Sequence, residues 1–160
     1  MFLKLDSTTD SDGLKFKLVY QLDVYFRENP DVVVNAQKIQ LDPDRPALGI
    51  KGTHGLLGSD EWWKNIRNGV ISSQEVTATV IDVFAPGRPG DSKKDSEMQL
   101  LLPDGSLTTL SMMANDPRDF GLFKIGCSVK TFYAFDELKV PSAFEGKFTP
   151  VLIEIAVSID

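Results

Sequence analysis

The chain carries one imidazole and one thiol, so any chemistry built on them is narrowly constrained. His54 lies in Gly52-Thr53-His54-Gly55, and Cys127 sits between Gly126 and Ser128. A histidine can act as a general base or ligate a metal. A structural or catalytic metal site needs three or four ligands, and no second histidine is available to join His54. A nucleophilic cysteine needs a base beside it, and His54 is remote from Cys127 in sequence. His54 is therefore expected to be an exposed or hydrogen-bonded loop residue, and Cys127 a small buried thiol. Asp6, Asp10 and Asp12 precede Gly13 but lack the spacing and closing glutamate of an EF-hand loop, so they read as a solvated turn. Asp42 and Asp44 flank Pro43 and also read as turn residues. The glycines between Gly49 and Gly58 are not followed by Gly-Lys-Ser/Thr and lack dinucleotide spacing; a Gly-x-Ser-x-Gly elbow is missing too. No catalytic residue, metal or cofactor is expected.

Contact chemistry is better represented. Trp62 and Trp63 are neighbours. Successive residues on a helix point about 100° apart, so one indole is expected to anchor the helix and the other to be partly exposed, as a contact residue is. Arg88, Lys93 and Lys94 fall in a long Pro/Gly loop where Asp91, Asp95 and Glu97 offset them, which argues against a phosphate patch. The candidate binding residues are thus His54, Trp62, Trp63, Arg88, Lys93 and Lys94.

The elements that must position these groups read mainly as β-strands. Leu14, Phe16, Leu18, Tyr20, Leu22, Val24 and Phe26 alternate with polar residues, which predicts a strand with one buried face. Asn29-Pro30-Asp31 reads as a turn, and Val32 to Leu41 as a second strand completing an N-terminal hairpin. Ser59, Asp60 and Glu61 suit a helix start and Asn68-Gly69 a stop, with Trp62, Trp63 and Ile66 between. Gln74 to Phe84 reads as a strand whose apolar phase shifts between Val80 and Ile81, signalling a bulge or burial on both faces. Residues 96–102 and 106–113 read as a hairpin around Pro103-Asp104-Gly105. Pro117 opens a short helical turn. Further strands follow around Gly126, and Val151, Ile153, Ile155, Val157 and Ile159 alternate in the last.

From Gln74 onward this order of elements, with Lys124-Ile125-Gly126-Cys127-Ser128-Val129 leading into the fourth strand, resembles the five-stranded OB-fold barrel, in particular its S1-like members. The resemblance covers roughly the second half of the chain. It implies a small barrel over residues 70–160, with the hairpin, Gly-rich loop and helix of residues 1–69 packed on it; one continuous domain and a β-sandwich are the alternatives. It also implies binding of a ligand or single-stranded nucleic acid through aromatic and basic residues on the central strands. The matching positions here hold Thr77, Thr79, Leu107 and Thr109 instead, and a formal charge of -6 over 160 residues repels phosphate.

With 42% hydrophobic and 25% charged residues, the chain can bury an ordinary globular core. A lone cysteine, the lack of a signal-like apolar start and the lack of any run near the roughly 20 apolar residues of a membrane span all favour the cytoplasm. These readings converge on a non-enzymatic interaction or assembly protein that uses β-edge and loop surfaces for a protein partner or for self-association. An OB-like ligand or nucleic-acid module is the alternative. An enzyme would require a cleft gathering His54 with two acids.

Overall fold

A computed structural model describes residues 1–5, 13–85 and 95–159. In chain order the elements are β1 (Lys15–Gln21), α1 (Leu22–Glu28), α2 (Pro30–Leu41), α3 (Asp60–Arg67), β2 (Ser73–Phe84), β3 (Glu97–Leu101), β4 (Leu107–Ser111), a 3-10 turn (Pro117–Leu122), β5 (Ser128–Ser142) and β6 (Gly146–Ile159). The fold is mainly β: one antiparallel sheet in the order β1-β6-β5-β2-β3-β4.

The alternation in β6 drives the core. Ile153, Ile155 and Val157 are buried in the same cluster as Val80, Met98, Leu100 and Val129. Glu154 and Ala156, which alternate with them, are buried too. A strand covered on both faces needs neighbours along both edges, and β5 and β1 supply them. The first and last strands therefore pair with each other. A register slip between Leu18 and Tyr20 breaks the even-numbered pattern of β1 and turns both Val19 and Tyr20 into the core. A second slip lies between Val80 and Asp82, where the phase shift in the sequence predicted it. The hairpin of β3 and β4 closes around Asp104-Gly105, and Asp116 caps the 3-10 turn by accepting from Arg118 N.

Pro150 sits inside β6 opposite Phe135. Phe135 donates its N–H the other way, to Ser72 O at 2.8 Å, so the two residues face each other without ladder bonds and the nitrogen of Pro150 points to the outer edge of the sheet.

The expected N-terminal hairpin is not formed: β1 ends at Gln21, and residues 22–41 make two helices. Leu22 and Phe26 are one helical turn apart and both buried, so the spacing that looked like period two also satisfies a helix. Pro30 occupies the first turn of α2, where no N–H is required. The β-branched residues Val32 to Val34 favour strands only where a pleated surface receives them. Here Val33 packs beside Phe26 and Gly58, where a Cβ would come within 3.2 Å of both side chains.

No ladder joins β1 to β4 among the described residues. Asn115, shortly after β4, reaches across instead. Its N–H donates to Val19 O at 2.9 Å, its Oδ1 accepts from Gln21 N at 2.7 Å, and its Nδ2 donates to Gln21 O at 3.2 Å. One side chain thus satisfies the end of β1 as a strand would. Replacing Asn115 with Ala leaves the part-buried N–H of Gln21 unmet, a loss of about 1–3 kcal/mol in urea unfolding. Asn115→Asp keeps only the acceptor and is expected to fall between; an Asn115→Ala midpoint equal to the parent's would refute this bridging role.

Candidate functional site

The two tryptophans part as the helix geometry requires. Ser59 caps α3 by accepting from Trp62 N at 3.2 Å, and Asp60 and Glu61 occupy its positive first turn. Trp62 is wholly buried (0% exposed), and its Nε1 donates to Asp136 Oδ2 at 2.8 Å. Asp136 is itself 2% exposed, and its Oδ1 accepts from Glu137 N at 2.9 Å. Burial pushes the Asp136 carboxyl above its ordinary range, while the bonds from Trp62 and Glu137 and the nearby His54 pull it back.

Trp63 meets the Trp62 ring edge-on at 4.7 Å and stays half-buried. Phe26 lies edge-on to it at 6.4 Å, and Phe2 stacks near it at 6.1 Å while stacking on Phe132 at 5.1 Å. Beside Trp63 opens a recess of about 510 Å³ lined by Phe26, Pro30, Val33 and Val34, with Asp23, Arg27 and Asp60 as its charged members. Trp63, Asp23 and Asp60 also line a smaller recess of about 190 Å³ with Met1, Phe2, Arg67 and Glu154. An apolar floor with a few charges suits protein contact. Phe2 is held there by Glu154, whose carboxylate accepts from Phe2 N at 3.0 Å and from Leu3 N at 2.8 Å. Glu154 alternates with Ile153 and Ile155, so the sequence pattern alone assigned it to the wet face. The signal that it is buried, the return of the chain start over it, is not local.

The Gly-rich loop positions His54. Gly55 has φ +105°, and a Cβ there would stand 2.8 Å from Trp62 N, so only glycine lets the loop approach α3. Asn65 Nδ2 donates to His54 O at 2.9 Å. Lys51 N donates to Glu137 O at 2.7 Å, and Thr53 Oγ1 to Glu137 Oε2 at 3.0 Å, laying the loop along β5. The Thr53 bond, with Lys51 and Lys147 nearby, pulls the Glu137 carboxyl below its usual range. His54 is thus half-buried near Asp136, both of whose carboxyl oxygens already accept other bonds.

Cys127 lines a different recess, of about 290 Å³, with Leu14, Lys124, Ile125 and Ser158. Burial pushes its thiol above the ordinary cysteine range, with the Lys124 backbone and ammonium pulling the other way. Imidazole and thiol are not brought together. Among the described residues no group of three His, Cys, Asp or Glu side chains is placed to hold a metal ion, and no helix is long and apolar enough to cross a membrane. Arg88, Lys93, Lys94 and the Asp6, Asp10, Asp12 series lie outside the described residues.

A family model described as Immunity protein RhsI2 matches residues 16–158, from β1 through β6. The chain belongs to the RhsI2 immunity protein family. No curated protein matches the chain. Membership of the RhsI2 family gives it a protein–protein interaction role, and both tryptophans and the Gly-rich loop fall within the matched region.

Two measurements check this geometry. Trp62→Phe removes the donor to a buried carboxylate and should cost about 2–4 kcal/mol of unfolding free energy, whereas Trp63→Ala, at the recess, should cost no more than about 1–2 kcal/mol; equal losses would contradict the division of roles. Cys127, whose thiol is held toward its neutral form, should react more slowly with iodoacetamide at pH 7 than free glutathione does, and faster as the pH rises. Cys127 is half-buried rather than the fully buried thiol expected from sequence, and alkylation of the folded protein at pH 7 as fast as that of glutathione would contradict its neutral state.

Proposed function

We propose that this RhsI2 family member is a non-enzymatic immunity protein that neutralises a cognate protein toxin by binding it one to one. The family match carries this reading, because an immunity protein needs a toxin to act on. The recess at Trp63 supports it: a half-buried tryptophan over an apolar floor is the kind of residue that dominates protein interfaces. His54 on the Gly-rich loop and Arg88, Lys93 and Lys94 between β2 and β3 are further candidate contacts. The lone cysteine suits a reducing compartment, and the cytoplasm is the proposed site of action. The alternative of an OB-like nucleic-acid module is less well supported, since the exposed residues of the relevant strands, Thr77, Leu107 and Thr109 among them, include no aromatic or basic side chain and the net charge is -6.

Binding predicts stoichiometric protection. Titrated against a purified cognate toxin domain, the protein should abolish toxicity at the equimolar point and form a 1:1 complex by light scattering. Trp63→Ala should raise Kd about tenfold. Full protection at a few per cent of equimolar would reveal turnover and overturn the reading.

A further inference from the structure

The β5–β6 ribbon is longer than the sheet it serves. β2 pairs with β5 only as far as Ala134, and β1 with β6 only as far as Glu154. Beyond these rows the two strands pair with each other and with the Gly49–Lys51 segment, then run on to a turn between Ser142 and Gly146. That turn is ordered by its own chemistry. Ser142 Oγ accepts from Phe144 N at 3.1 Å and from Glu145 N at 3.3 Å, and Gly146 takes φ +72°, a conformation other residues resist. The result is a phenylalanine held at 99% exposure on a projecting tip, with Val140 at 50% and Phe148 at 46% behind it. Lys147 and Glu137 pair with each other at 3.6 Å, and Glu145, exposed beside Phe144, is the charged residue of the turn itself.

We propose that this tip, with Phe144 as its anchor, inserts into an apolar cleft of the toxin; the identity of the partner rests on the toxin-binding reading. The shape decides the occupant. Phe144, Val140 and Phe148 together expose on the order of 300–400 Å², well short of the roughly 800 Å² each partner buries in a stable interface. Two copies meeting tip to tip would bury too little to hold. A cleft that closes around a convex knob buries nearly all of it. Because Ser142 and Gly146 order the turn in advance, little conformational freedom is lost on insertion.

The test is the dissociation constant of the full chain for a purified cognate toxin domain, by isothermal calorimetry. Phe144→Ala should raise Kd about 30-fold or more, Phe144→Asp further, and Phe144→Leu no more than about fivefold, with unchanged thermal melting because the side chain supports nothing in the fold. If the parent protein binds and Phe144→Ala stays within about threefold, the tip is not the anchor and toxin binding stands. A parent protein that fails to bind removes the toxin reading and this one with it. A parent dimer in sedimentation that Phe144→Asp dissociates would assign the tip to self-association and overturn the proposal.

Discussion

The hydrogen bond from the Trp62 indole to the Asp136 carboxylate ties the helical part of the chain to the sheet. A carboxylate this deeply buried must be met by donors, and among the described residues the indole and the Glu137 amide supply them. Satisfying it fixes where α3 lies against β5. Everything around α3 inherits that position: Gly55 must be bare to pass beside Trp62, the loop can then run along β5 to Glu137, and Trp63 is turned toward α1 and α2 rather than into the core. The contact chemistry of this face follows from a core constraint.

The strands of the second half were legible because their signals are local. The Asp104-Gly105 turn, the slip near Val80 and the alternation of β6 each depend on residues within one element. The α3 cap at Ser59 and the split between the two indoles were legible for the same reason. Residues 22–41 were misread because Leu22, Val24 and Phe26 fit two periods, and the arbiter is distant: Phe26 and Val33 settle against Gly58. Glu154 was hidden by its apolar neighbours, and its burial depends on Phe2 and Leu3 folding back from the other end of the chain. Phe144 lies between Pro141 and Gly146, residue types that mark a turn in sequence, but the degree to which its side chain stands clear is not visible there.

Asn115 shows how the OB-like resemblance and the observed sheet relate. The strands after Ser73 follow the expected order of elements, and β1 adds itself to the outer side of β6. The interval that remains between β1 and β4 is crossed by a single amide side chain that mimics a strand's donor and acceptor. The N-terminal segment is thus part of the sheet, and its Val19 and Tyr20 belong to the same core as Met98 and Val129.

Pro150 has a bearing on behaviour at high concentration. The rim of β6 past Glu154 carries no neighbouring strand from β1, and such a rim is a template on which another chain can polymerise. A missing amide proton in the middle of that rim interrupts any incoming ladder and discourages fibril growth. The chain can then reach high concentration without the ribbon being consumed by copies of itself.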